Sequence, residues 1–570
     1  MLNEDILFVA QMRSYFSDTP EFFMQCMDQP GGLLTWLSLW LTQLFYHPWL
    51  GIAALVFLWT IIFLTLKMAF RVKMIWTPLL LIPVACLIAA DCQLGYWIYY
   101  LKFQGYYFHP TLGVLSVALL VWLSASDNRI AKYGGIALAA LAYPLIGFYS
   151  PLALACTAIM ALSDRKWIDT AIAVAAAIAA PVLWTTLYDS YNTDDTFTIG
   201  IPIFRSSHYV NEVKSYPFYG IIIALLLFTL LHKLPKLNIK SRKALFILAP
   251  LYVAILAGCT AIVKTSDYSD EAFQTECKVY RAIDEERWDD ALDAVARIKC
   301  DITRELIVMK NIALFNKGNI GNEMYNYPDD GIHPKPGDSL RVCLANTAGP
   351  LIYLHHGLIN YAYRWAMENS VEQGLNIAHI KVLATAAAVN GEKALSQKYV
   401  NMLRHTLYYK DWKMPDTKKM SELYKYENEL AGSDNGLIEK FLIDYFSIMP
   451  PTTSKYLTEM SLAYALMSKD IKTFWTQFFR YASQRPGLDM PIHYQEAAYL
   501  YGKLEPQTVD SSHMPYNKER IIDRYAQFMQ TATQYMQSGM DEHATGEAMR
   551  SQYSDTFWWT YYFVHGSTYY

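Results

Sequence analysis

The stretch LGIAALVFLWTIIFLTLK (residues 50–67), then MAFRVK (68–73), then MIWTPLLLIPVACLIAAD (74–91), decides the fold class of this chain. Two long apolar runs flank a short basic loop carrying Arg71 and Lys73. A helix needs about 20 apolar residues to cross a bilayer. Inside hydrocarbon only helices and closed barrels satisfy every backbone polar group. The two runs therefore read as membrane-crossing helices joined by a tight loop. Similar runs at 110–125, 133–148, 150–163, 167–187, 217–232 and 245–263 bring the expectation to about eight crossings. The pair 133–148 and 150–163 meets at Gly147-Phe148-Tyr149-Ser150-Pro151, a turn-like sequence that suits a tight hairpin or a re-entrant pair.

Working outward, residues 33–49 (LLTWLSLWLTQLFYHPW) are apolar, uncharged and hold three tryptophans. Pro48 and the indoles suit a helix lying at the headgroup level; a spanning helix here would change the parity of the topology. Residues 1–32 read as an outer loop with no signal peptide. That leaves an exported N-terminus without a helix to carry it, which suggests that Met1 is not the native start or that a first crossing is missing ahead of it; the alternative is an unusual insertion of 33–49.

Loop charges set the orientation. One set of loops holds Lys67, Arg71, Lys73, Arg129, Lys132, Arg165, Lys166, Lys233, Lys236, Lys240, Arg242 and Lys243; the other holds only Arg13, Lys102, Arg205 and Lys214. The basic side is cytoplasmic, which places residues 264–570 outside, in the periplasm of a two-membrane bacterium.

From 264 on, apolar residues recur at helical spacing, as in Phe273, Cys277, Tyr280 and Ile283, then Trp288, Leu292, Val295 and Ile298. Breaks fall at Asp284–Trp288, Asn316–Asn319, Asn390–Lys393 and Ser468–Asp470. Helix–turn–helix units in series predict a tetratricopeptide-like solenoid of uneven period, whose concave face would bind other chains. The expected fold is thus all-α: a polytopic transmembrane helix bundle over 33–263, followed by a periplasmic helical-repeat domain over 264–570. Residues 327–350 are rich in Pro and Gly and read as an inserted loop.

The mean hydropathy of +0.10 averages an apolar half and a polar half. A net charge of −4 and the lack of a clustered basic face argue against nucleic acid as a partner. The partners expected are the lipid bilayer and proteins docking on the solenoid face. The eight cysteines are scattered without a CxxC, so neither a zinc site nor a disulfide framework is indicated; Cys277 and Cys300 alone suit a bridge between adjacent helices. GxGxxG, GxxxxGK[ST], HExxH and GxSxG are all missing. His355 and His356, adjacent on a helix, point about 100° apart and do not share one metal. His493 opens a helix after Pro491, where packing or capping suits it better than catalysis.

What remains for chemistry are acids and rings at the outer boundary. Glu4, Asp5, Asp194 and Asp195 are the candidate catalytic acids, able to act as a general base if they converge in one cavity. Asp91, Tyr99, Tyr100, Arg205 and His208 are the candidate substrate-binding residues. Tyr99 and Tyr100 belong to the loop 91–109 (DCQLGYWIYYLKFQGYYFH), which reads either as an interfacial aromatic belt or as a stacking platform for a sugar or lipid headgroup. Asp194, Asp195, Arg205 and His208 share the long loop 188–216. No metal site is expected.

Two resemblances bear on these residues. Glu4 and Asp5, then Pro30-Gly31-Gly32 and helix 33–49, resemble the start of polyprenyl-phosphate-sugar-dependent glycosyltransferases of the GT-C superfamily. The likeness covers the first third of the chain. It implies Glu4 or Asp5 as the base that activates an acceptor hydroxyl, with a polyprenyl-phosphate-linked sugar as donor; the family's usual acid pair is only partly visible. Gln29–Leu33 with Thr42–Trp49, Pro491–Ala497 and Asp555–Trp559 resemble an uncharacterised family of multi-pass membrane proteins from Gram-negative bacteria. That likeness covers nearly the whole chain and implies fold and location without an activity. Its members usually begin with one more helix.

The expected function is therefore sugar transfer at the periplasmic face of the inner membrane, by a protein of GT-C-like architecture. The alternative is a non-enzymatic scaffold that recruits envelope or surface-polysaccharide partners through the helical repeats. A transporter fits poorly. The crossings carry almost no ionisable residues, each of which costs roughly 2.5–3.5 kcal/mol at mid-bilayer, and inverted repeats are not evident.

Overall fold

Apolar runs without β-branched alternation fold here as helices throughout. The structure, a computed structural model, describes residues 3–103, 105–187, 196–202, 216–234, 242–329, 342–427, 454–510 and 514–564. Among these residues every regular element is helical. The chain divides into two compact units: Met1–Ser269 with Ser370–Ala378 and Val400–Trp412, and Asp270–Asn369 with His379–Tyr399 and Lys413–Tyr570.

The first unit opens with α1 (Glu4–Met12), α2 (Pro20–Met27) and α3 (Gly32–Thr42). Segment 33–49 is not one helix. After α3 a single 3₁₀ turn (Gln43–Tyr46) ends at His47, and Pro48 begins α4 (Pro48–Ala69). Proline has no N–H to lose at a first helical position, so Pro48 starts the first long apolar helix, where the sequence pattern predicts a position inside an interfacial helix over 33–49. Then come a 3₁₀ stretch (Met74–Leu80) continuing into α5 (Leu81–Cys92), α6 (His109–Ser124), α7 (Arg129–Leu141), α8 (Tyr143–Ile146), α9 (Tyr149–Ser163), α10 (Trp167–Thr185), α11 (Tyr216–Phe228) and α12 (Arg242–Ser266).

Among the described residues five helical segments are long and apolar enough to cross a membrane: Pro48–Ala69, Met74–Cys92, Trp167–Thr185, Tyr216–Lys233 and Leu248–Ser266. Of the other expected crossings, 110–125 and 150–163 fall on the shorter apolar helices α6 and α9, and 133–148 is broken. Pro144 starts a new short helix, and Gly147, at φ +56, turns the chain into α9. Side chains such as Phe57, Leu183 and Val253 are exposed on α4, α10 and α12. By contrast, Ile62, Leu66, Leu87, Val114, Val117, Leu154 and Leu225 share one buried cluster. Among lipid tails, association rests on close van der Waals packing rather than water expulsion. Small residues supply the closeness. A Cβ on Gly135 would sit 2.8 Å from the Ser124 backbone nitrogen, and Ser150 Oγ donates to Ala139 O at 2.7 Å.

Two stretches distant in sequence join this unit through buried polar groups. Gln11 Nε2 donates to Gln43 Oε1 (2.8 Å), Gln43 Nε2 to Ser14 Oγ (3.0 Å), and Tyr409 Oη to Gln11 Oε1 (2.6 Å). Tyr408 stacks on Tyr46 with centroids 4.7 Å apart. A buried amide left unpaired costs about 1–3 kcal/mol, so segment 400–412 completes what α1 and Gln43 begin.

The second unit contains α13 (Glu271–Asp284), α14 (Trp288–Ala296), α15 (Arg304–Lys317), α16 (Ile320–Glu323), α17 (Gly349–His355), most of α18 (Ile359–Gln373) and of α19 (Ile377–Val389). After part of α20 (Lys393–Arg404) come α21 (Lys418–Tyr424), α22 (Lys455–Met467), α23 (Ile471–Gln484), α24 (Ile492–Leu504), α25 (Arg524–Gln537), α26 (Glu542–Tyr553) and α27 (Phe557–Phe563). All four junctions read from the sequence coincide with helix ends. At two of them the left-handed residue is not glycine: Glu286 (φ 54) and Lys469 (φ 56). That backbone costs roughly 1–2 kcal/mol. Lys469 offsets it by donating from Nζ to the carbonyls of Tyr561 and Val564, both at 2.8 Å, at the end of α27. A buried ion pair ties α19 to α13, Lys381 Nζ to Asp284 Oδ2 (2.7 Å), and another holds α15 to the chain beyond α16, Lys310 Nζ to Asp329 Oδ1 (2.7 Å). Cys277 is buried and Cys300 exposed, and no disulfide joins them.

His355 and His356 are both buried in this unit. His356 Nδ1 faces the Ile352 carbonyl at 2.8 Å and so donates, leaving Nε2 to accept from Tyr464 Oη at 2.5 Å. His355 packs edge-on against Trp288. Burial lowers their pKa values to about 3 and about 4. The unfolded chain takes up protons on these rings below about pH 6.5, while the folded one does not. Stability is thus complete above pH 6.5 and falls as pH drops toward the folded values. Each ring that stays neutral loses about 1.4 kcal/mol of stability by pH 5.5. Thermal unfolding between pH 7.5 and 5.5 should show this slope, and His355→Phe should flatten it; an unchanged slope in that variant contradicts the assignment.

Candidate functional site

Asp91 lies in the last turn of the Met74–Cys92 segment, the end opposite the Arg71–Lys73 loop. Of the five long apolar segments this one has the largest buried share. The Asp91 side chain is buried, and its Oδ2 has no hydrogen-bond partner among the described residues. The same holds for Gln93 Oε1, both ring nitrogens of His109, and Tyr149 Oη. These residues come from the end of α5, the start of α6 and the start of α9.

Tyr106 links them. Its hydroxyl donates to Ala90 O at 3.3 Å. Burial pushes the phenol pKa up, the Asp91 carboxylate adds to that, and a hydrogen bond from the Gln93 side chain pulls it back. His109 is held edge-on by Phe103 with centroids at 4.5 Å, and its other neighbour is Tyr149 at 5.8 Å. Gly113 makes room for Tyr149, since a Cβ there would lie 2.1 Å from the ring. Over the top runs Thr196–Ile201. Tyr143 Oη donates to Thr196 O (2.6 Å), Phe148 N–H to Ile199 O (3.0 Å), and the Cβ position of Gly200 is 3.4 Å from His109 Cε1. The result is a buried polar cluster roofed by backbone and aromatic rings. A polar atom buried without a partner is expensive, and several together mark a place where something else completes the bonding.

The other sequence candidates fall as follows. Glu4 is exposed and Asp5 half-buried in the first turn of α1, where Asn3 caps the Asp5 N–H at 3.0 Å. Acids there suit the positive end of the helix dipole. Tyr99 is buried; its carbonyl accepts from Arg13 Nη2 at 3.0 Å, and the guanidinium lies 5.4 Å from its ring. Tyr100 is half-buried beside Trp97. Tyr96, Ile98, Tyr106, Tyr107 and Phe108 are buried too, so most of the 91–109 loop packs into the unit. Asp194, Asp195, Arg205 and His208 lie outside the described residues. Gln93, His109 and Tyr149 were not singled out by sequence reasoning. The available signal was a histidine immediately before Pro110, at the opening of an apolar helix.

On the basic side, Asp164 meets His232 at 3.1 Å and Lys233, while Lys132 pairs with Asp169 at 2.8 Å. Burial raises the Asp164 pKa, but bonds to Lys233 and His232 outweigh it and bring it to about 2. The adjoining cavity is only about 40 Å³, room for one or two waters, so these pairs fix loop ends rather than form a substrate site. Among the described residues no three His, Cys, Asp or Glu side chains are grouped to hold a metal ion. In the second unit His493 is buried, with Nδ1 2.9 Å from Glu496 Oε2, which also accepts the Phe557 N–H at 2.9 Å. It pins the start of α24 to the start of α27.

Fold and site together define a protein that is helical throughout its described residues, with five candidate membrane-crossing helices among them and a buried polar cluster around Asp91 at the end of one. The chain belongs to a family of unknown function, DUF6057, which it matches over residues 1–565. No curated protein and no solved structure matches it.

Proposed function

We propose that this is an integral inner-membrane transferase of GT-C-like architecture, moving a sugar from a polyprenyl-phosphate donor at the periplasmic face. Asp91 is its general base. The unpartnered Oδ2 of Asp91, beside Gln93 Oε1, the His109 ring nitrogens and Tyr149 Oη that are likewise unpartnered among the described residues, carries the reading. An ionisable group kept at membrane depth without a partner marks function by default, and a base needs a free oxygen facing the hydroxyl it deprotonates. The bias of basic residues to the opposite loops supports the outward orientation of this end. In this reading the second unit is periplasmic and its helical hairpins stack as a tetratricopeptide-like array. The role of base passes from Glu4 and Asp5, which open α1, to Asp91.

Native mass spectrometry of the gently purified protein tests the proposal. A retained polyprenyl-phosphate species at near one per chain is expected. Protein partners retained in its place, with no such lipid, point instead to the scaffold.

A further inference from the structure

The second unit holds a half-open groove of about 770 Å³ between α23, the 485–490 turn and the 514–520 segment. That volume lies in the range of small-ligand sites. Its walls are packed ring against ring. Phe479 stacks on Trp475 (5.8 Å, 19°), Tyr516 sits edge-on to Tyr499 (5.2 Å), and Tyr481 is clamped between Tyr494 (5.3 Å) and the Arg485 guanidinium, 3.9 Å from its centroid. Phe479 is nonetheless 47% exposed, so its free face is available.

Arg485 is only partly used. Its Nη2 donates to Glu459 (2.9 Å) and to Lys455 O (3.2 Å), but Nη1 is buried and has no acceptor among the described residues. Arg520 is exposed at the same groove. Asp489 is the one acid among the lining residues. The amides are spent on the walls: Gln495 bonds Met490 O and the Asn517 N–H, and Asn322 accepts the Ile492 N–H. The groove therefore offers aromatic faces and the exposed Arg520 guanidinium, with no sheet edge among the described residues for an extended peptide to pair with.

We infer that this groove binds a carboxylate-bearing saccharide chain, its ring faces on Phe479 and Tyr516 and its acid groups on Arg520. Flat C–H faces suit the rings, and charge-assisted bonds suit the exposed Arg520 guanidinium. The groove belongs to the second unit and its test reads binding alone, so it stands or falls apart from the transferase proposal.

The test is calorimetry on the full chain in nanodiscs, with tetragalacturonate, neutral maltotetraose and hexaglutamate as probes. Tetragalacturonate should bind, and maltotetraose at least tenfold more weakly. Arg520→Gln and Phe479→Ala should each weaken tetragalacturonate by at least fivefold while leaving the melting temperature unchanged. No binding of tetragalacturonate at millimolar concentration overturns the inference, as does equal affinity for hexaglutamate, or binding indifferent to both substitutions.

Discussion

Asp91→Asn is expected to leave the protein folded and to lower transfer at least a hundredfold. The substitution keeps shape and volume, so the packing of α5 against α11 and α12 is untouched. It removes only the ability to take a proton. Loss of a positioned general base typically lowers a rate by 10²–10⁴. The readout is chemical: cells carrying the variant should accumulate loaded polyprenyl-phosphate sugar and lack the corresponding residue in envelope polysaccharide. Stability should hold or rise, since a neutral amide is less costly to bury than a carboxylate. Two comparisons sharpen the result. Glu4→Ala with Asp5→Ala should be the milder change, because those acids sit at an open helix start. His109→Phe keeps the ring between Phe103 and Tyr149 yet removes both nitrogens, and should fall between the two. Wild-type sugar composition in the Asp91→Asn strain would sink the assignment of the base.

Much of the architecture was readable because it rests on local pattern. Uninterrupted apolar runs forecast α4 and α10 almost to the residue, and the hairpin breaks at Gly318 and Gly391 show as positive-φ glycines. The failures share a cause. Pro48 and Pro144 both start helices, and sequence alone does not say which side of a proline continues. The aromatic loop 91–109 looked interfacial because tyrosines suit a headgroup layer. Most of its rings are buried, with Trp97 and Tyr100 half-buried, an outcome set by tertiary packing. Asp91 was visible as an acid at a helix end. Its company was not, since Gln93, His109 and Tyr149 converge from three elements and no spacing rule links them. The joining of 400–412 to the first unit depends on Tyr409 reaching Gln11, a contact 398 positions apart.

Lys310→Met should produce the largest loss of stability in the second unit. The Lys310 side chain is fully buried (0% exposed) in the middle of α15, and its Nζ donates to Asp329 Oδ1 at 2.7 Å and to the Met324 carbonyl at 3.1 Å. Methionine fills nearly the same volume, so the change isolates the charge. It deprives a buried carboxylate of its cation, and breaking such a pair from one side costs about 3–5 kcal/mol. For a unit of this size that corresponds to a fall in melting temperature on the order of 10 °C. Neutralising the second partner as well, in Lys310→Met with Asp329→Asn, should recover most of the loss, because the penalty comes from the stranded charge rather than from the missing attraction. A single variant within about 1 kcal/mol of wild type would show that water reaches Asp329. Equal losses in the single and double variants would place the cost in the geometry of the Met324–Asp329 turn, which the ammonium holds to α15.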